Sequence, residues 1–153
     1  MTITLLSIDP GETTGITVMR IYDTPNTRPD IMIYEKLPYH NVLARLKTIE
    51  AVFNPTDTIV ENWTQHTTAN GTITNRVIGM ALALFTNCEL VSPSTRNLAR
   101  NVYQLAKPAH DPDNFSSLLH ALSWSLKNNL LTPHSKLATG PMVTLDKLSS
   151  KLL

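Results

Sequence analysis

The chain has 153 residues, 42% hydrophobic and 16% charged, enough to bury one core and too few for two large domains. Its formal charge of +1 excludes a general cationic mantle for nucleic acid, so any such contact must come from a local excess. The single cysteine, Cys88, excludes an internal disulfide and a multi-cysteine zinc site, and reads as a small buried hydrophobe. No basic stretch precedes an apolar one at the start and no apolar run approaches bilayer-spanning length, so the expectation is a cytoplasmic protein with no membrane partner.

Residues 2–8, Thr-Ile-Thr-Leu-Leu-Ser-Ile, favour a strand through their β-branched and aliphatic side chains. The run ends on Asp9, and Pro10-Gly11 then halts the ladder. Residues 15–19 resume as a second strand, which makes a hairpin with Glu12, Thr13 and Thr14 near its tip. Asp9 is thus a carboxylate on a rigid element with reachable oxygens; equally, Asp before Pro-Gly is an ordinary turn residue that caps backbone donors. A turn-rich connection over 23–30 leads to a third strand at 31–35, predicting a three-stranded antiparallel meander. Val42, Leu43, Leu46, Ile49 and Phe53 recur at helical spacing over 39–53, and Asn54-Pro55 ends that helix. Residues 57–61 form a short strand that again finishes on an acid, Glu61.

The connection 61–71 holds Trp63, His66, Thr67, Thr68 and Asn70, the polar and aromatic make-up of an exposed, function-bearing loop. Ile73, Val77, Ala81, Leu84 and Phe85 mark a second helix, residues 88–91 a fifth strand, and Ser92-Pro93 the capped opening of a helix reaching Tyr103. A loop over 107–113 feeds the last long helix. There Phe115, Leu118, Leu119, Leu122 and Leu126 form one stripe, while Asp113, Ser116, Ser117, His120 and Trp124 fall on the other side. Asp111 as cap, Pro112 in the first position and Asp113 favouring the helix dipole account for that helix start without chemistry. Between residues 63 and 110 Arg76, Arg96, Arg100 and Lys107 face only Glu89; this positive excess suits phosphate contacts and also an ordinary solvated helix surface.

The element order predicts an α/β fold: a mixed sheet of five strands flanked by helices over residues 1–130. Residues 131–153 form an extension, loop-like at Pro133, Gly140 and Pro141 and amphipathic from Leu145 to the end, that packs on the domain or on a dimer. If the first and fourth strands are neighbours, Asp9 and Glu61 converge, and the start of the last helix adds a third oxygen donor.

Ile8-Asp9-Pro10-Gly11 with Thr14-Gly15, Ile59-Val60-Glu61, Ser92-Pro93-Ser94, and Asp113 leading into Leu119-His120-Ala121-Leu122 resemble, in order and spacing, the RuvC-like Holliday junction resolvases of the RNase H-like superfamily, compact phage versions especially. The resemblance implies a structure-selective endonuclease that hydrolyses branched DNA with two magnesium ions about 4 Å apart, manganese substituting. It implies Asp9, Glu61 and Asp113 as ligands; His120 on the last helix either orients a water or an acid or is an ordinary partly buried residue. It further implies a homodimer acting on a four-way junction, in a host's cytoplasm for a viral chain. Trp63 sits in a loop that resembles the resolvase loop approaching the junction centre, where an aromatic stacks on a base or lids the core; Arg76, Arg96, Arg100 and Lys107 are candidates for phosphate contacts. The final motif departs from the pattern. Counting back from His120 makes Ser116 the later partner of Asp113, whereas counting forward from the loop pairs His110 with Asp113; Ser116, His110 and Asp111 are therefore alternate ligands. If Ser116 is the equivalent, the protein cuts slowly or binds junctions without cutting. A sugar-kinase or actin-like ATPase also starts with an Asp-x-Gly hairpin, but needs two such domains.

Overall fold

The computed structural model describes residues 1–23, 28–62, 69–103 and 112–132. Strand β1 (Thr2–Asp9) lies at the centre of the sheet, paired antiparallel with β2 (Thr13–Tyr22) and parallel with β4 (Asp57–Glu61). Beyond these, β3 (Asp30–Pro38) pairs antiparallel with β2, and β5 (Cys88–Val91) parallel with β4. The order β3-β2-β1-β4-β5 is the expected mixed five-stranded sheet, with the meander on one side and two parallel strands on the other. β2 and β3 both run longer than their apolar runs suggest. Ladder pairing recruits Arg20 opposite Thr4 and Tyr22 opposite Thr2, because backbone hydrogen bonds are indifferent to the side chains they carry.

Helix α1 (Tyr39–Phe53) and helix α2 (Ala69–Leu84) cover one face of the sheet. Val42, Leu46 and Ile49 of α1 and Val77, Ile78 and Ala81 of α2 pack there with Leu6, Ile8, Ile16 and Val60. Asn54 stops α1 in the left-handed conformation, φ 45°, which asparagine tolerates, and Pro55 disfavours continuing the helix. The other face carries helix α3 (Asn97–Val102) and helix α4 (Asp113–Lys127). Ala99, Phe115, Leu118, Leu119 and Leu122 join Leu5, Met19, Ile21 and Ile59 in a second core cluster, which Leu131 completes. Since β1 is sandwiched between both cores, Leu5, Leu6 and Ile8 are all fully buried. That explains an apolar run without polar alternation.

Three local expectations change. The helix opened by Ser92 is a 3-10 turn, Pro93–Arg96, followed by the short α3; tight bonds such as Thr95 N–H to Ser92 O, 3.0 Å, set its pitch. Pro112 occupies the N-cap of α4 rather than its first position. The polar side of α4 does not face solvent: Ser116, Ser117 and His120 are fully buried. Ser117 Oγ meets Thr17 Oγ1 at 2.8 Å, and Ser123 Oγ accepts from Ala99 N–H at 2.9 Å, so polar pairs dock α4 on β2 and α3. Cys88 is half-buried at the edge of the first cluster, and burial raises its thiol pKa. Among the described residues no helix is long and apolar enough to cross a membrane.

Candidate functional site

Side chains alternate along a strand, so the register decides which acids share a face. Ile8 pairs with Val60 in the parallel ladder; one residue further, Asp9 and Glu61 emerge on the same side. Ile59, two residues before Glu61, and Leu5, four before Asp9, both pack in the cluster beneath α4, which confirms the side. The two acids stand at the carboxyl ends of adjacent parallel strands, where open α/β sheets form their crevices. The turn after Asp9 is held by Thr14, whose Oγ1 donates to Gly11 O at 3.1 Å and accepts from Gly11 N–H at 3.3 Å.

The third acid arrives through a close backbone approach. Gly15 pairs with Asp9 across the β1–β2 ladder, and a Cβ built on it would lie 1.9 Å from Asp113 O. Only glycine lets the first residue of α4 sit directly on β2. Asp9, Gly15 and Asp113 therefore meet at one point, although more than 90 residues separate the outer two in sequence.

Glu61 is 3% exposed, and a buried carboxylate needs partners. His120 Nε2 lies 2.5 Å from Glu61 Oε2. Ser116 Oγ donates to the same oxygen over a long 3.5 Å, and Arg96 Nη1 stands 3.8 Å from it. Arg96 Nη1 in turn donates to Ser116 Oγ at 2.8 Å. His120 Nδ1 has no hydrogen-bond partner among the described residues. An ionised carboxylate only accepts, so the proton between the two groups is the one on Nε2, donated to Glu61. Asp9 has its carboxyl pKa pushed up to about 7: burial is the main cause, followed by repulsion from Glu61, while Asp113 adds to it. A hydrogen bond from Ser116 and the charge of Arg96 oppose the rise.

Asp9, Glu61, Asp113, Ser116 and His120 are thus brought together. The register that counts back from His120 has its later residue, Ser116, between Asp9 and Glu61. Trp63, Lys107, His110 and Asp111 lie outside the described residues. Of the arginines expected on DNA, Arg76 is exposed on α2, whereas Arg100 is 6% exposed in α3; its turn of helix packs against α4, which hides it from a surface phosphate. Arg96 is partly buried and belongs to the acid cluster itself, a role sequence reasoning missed. Its nearest signal is Ser92-Pro93, which fixes a tight turn directly after β5.

Among the described residues no group of three or more His, Cys, Asp or Glu is gathered closely enough to hold a metal ion by itself. The donor chemistry nevertheless suits a hard divalent cation. Magnesium is ordinarily held by one or two carboxylates, with waters and substrate phosphate completing its shell, and the repulsion of Asp9 by Glu61 and Asp113, which adds to the effect of burial, is of the kind a cation relieves.

Among solved structures the fold is similar to Thermus thermophilus RuvC, with a TM-score of 0.63 and 14% identity over 85% of this chain and 98% of that one. It is similar to T. thermophilus RuvC in complex with Holliday junction substrate, TM-score 0.62, 16% identity, 83% of this chain and 95% of that one. The Fowlpox virus resolvase in complex with substrate Holliday junction DNA gives a TM-score of 0.50 and 17% identity over 85% of this chain and 100% of the other. No protein-family model matches the sequence, and no curated protein matches it.

Proposed function

Proceeding from a chain with the RuvC-like, RNase H-like fold, we propose that it is a metal-dependent endonuclease that resolves Holliday junctions and related branched DNA. The observation that carries this reading is the convergence of Asp9 and Glu61 at the carboxyl ends of β1 and β4, with Asp113 set against them through Gly15. Asp9, Glu61 and Asp113 would hold the divalent ion, magnesium with manganese as substitute. When bound, such an ion makes a water nucleophilic at neutral pH and stabilises charge on the leaving oxygen of a phosphodiester.

The chain's own residues prepare that site. His120 keeps the Glu61 carboxylate in one orientation through its Nε2–H, as partners of metal-binding carboxylates do. Ser116 links Glu61 to Arg96. α4, packed on the sheet, shuts water out beneath the acids, and Asp9 and Asp113, both partly exposed, would face the scissile phosphate. Arg76, exposed on α2, would meet backbone phosphate, a contact that fixes register rather than sequence. A four-way junction offers two equivalent strands, so the working unit is a homodimer with two sites.

Synthetic four-way junctions incubated with the protein and magnesium or manganese test the reading. Paired, symmetric nicks are expected, and absent from Asp9→Asn. A second reading, a junction binder that does not cut, is favoured by the neutral Ser116 among the acids. Retained junction binding with no nicking in either metal selects it.

A further inference from the structure

Two buried polar atoms below the acids lack a partner among the described residues. Ser7 Oγ and His120 Nδ1 belong to fully buried side chains, and neither makes a hydrogen bond. Such groups are rare in folded proteins and call for a physical account.

Register puts both on one seam. Ser7 of β1 pairs with Thr17 on β2 and with Ile59 on β4. Thr17 meets Ser117 of α4, and Ile59 packs in the cluster beneath α4, so Ser7 faces that helix as well. Asp113 lies against Gly15 and Ser117 against Thr17; α4 therefore runs alongside β2, and His120 starts below the level of Ser7. Helical side chains lean towards the helix N-terminus, and this one rises to β4, where Nε2 is 2.5 Å from Glu61 Oε2. With β1 between β2 and β4, the ring crosses β1 at Ser7.

Proton counting closes the seam. Ser117 Oγ donates to Asn114 O at 2.8 Å, so its 2.8 Å contact with Thr17 Oγ1 is a bond that Thr17 donates, and Thr17 Oγ1 keeps a lone pair. Ser7 brings one proton that has no acceptor. An internal water, which ordinarily makes about three bonds to buried polar groups, accepts it and has protons to give to Nδ1 and to Thr17 Oγ1.

We propose that Ser7 is a positioning residue of the acid site: through one internal water it holds His120 Nδ1, so that the ring stays turned with its Nε2–H on Glu61. The inference rests on the nuclease reading above for its consequence, not for its geometry. Ser7 acts through His120 alone.

Isotopic nitrogen labelling of the histidines in the full chain, read by long-range proton–nitrogen correlation, tests this; the His120 signals are those that vanish in His120→Gln. Wild type should show the ring proton on Nε2 and a bare Nδ1 at the shift of a hydrogen-bonded nitrogen. In Ser7→Ala the Nδ1 signal moves to the shift of an unbonded nitrogen, and Ser7→Thr, which keeps the hydroxyl, restores it. Nicking of a four-way junction falls about tenfold in kcat for Ser7→Ala, with KM unchanged, and recovers in Ser7→Thr. An Nδ1 that is unbonded or protonated in wild type, or that does not move in Ser7→Ala, overturns the inference. A moved signal with unchanged kcat overturns the positioning role. Ser7→Ala removes a single oxygen, and it decides the matter if the extra methyl of Ser7→Thr prevents folding by circular dichroism. No nicking by wild type, with the Nδ1 signal moving as described, removes the nuclease reading and leaves the hold on His120 standing.

Discussion

His120, fully buried in α4, sits with Nε2 2.5 Å from Glu61 Oε2 at the end of β4, joining the last helix to the sheet at the acid cluster. Glu61 is nearly as buried, so the bond holds a carboxylate that solvent does not. His120→Ala leaves a cavity and strips Glu61 of its closest donor. A loss of about 2–4 kcal/mol in urea denaturation is expected, with manganese affinity falling ~10–100-fold. His120→Gln, able to donate at a similar reach, should recover part of both.

Gly15 and Gly79 give opposite outcomes for the same substitution. Gly15→Ala puts a Cβ where the Asp113 carbonyl already lies, so α4 must shift; about 2–3 kcal/mol of stability is lost and nicking falls with it. Gly79 is exposed in the interior of α2, with nothing near its would-be Cβ. Gly79→Ala gains about 0.4–1 kcal/mol through helix propensity and chain entropy. Denaturation midpoints of the two variants check both signs.

Asp9 links stability to pH. Its folded pKa is raised from 3.8 to about 7, so between these values the folded state binds more protons than the unfolded one. In metal-free protein the contribution is fully present below pH 4 and is lost as pH rises through about 7. Asp9→Asn removes this dependence. Its melting temperature therefore exceeds that of wild type above pH 7 without metal, the gap closing towards pH 4. Manganese narrows the gap at high pH by stabilising wild type.

Arg76 is a surface cation with no part in the acid cluster. Arg76→Ala should leave the melting temperature within the small range of surface substitutions. Junction affinity should drop, and the slope of log affinity against log salt should become shallower by about one. Fluorescence anisotropy with a labelled four-way junction across a salt series measures both.

The local chain carries the elements because strand and helix are short-range periodicities. The run to Asp9, the run to Glu61 and the stripe through Phe115, Leu118 and Leu122 each declare their type, and two acids at strand ends are visible as letters. What packs on what is not local. The pairing of β1 with β4 rests on chain closure over some fifty residues, and that adjacency alone turns two strand-end acids into one site. A polar face on α4 reads alike whether it meets water or a buried carboxylate, so the burial of Ser116 and His120 was invisible. Arg96 likewise meets Glu61 only because β5 ends beside β4 and its turn folds back over the acids. The sequence by itself determined which segments become strands and helices and where their acids stand. Tertiary structure decided which charges share a dielectric, because that depends on through-space distances that no periodicity encodes.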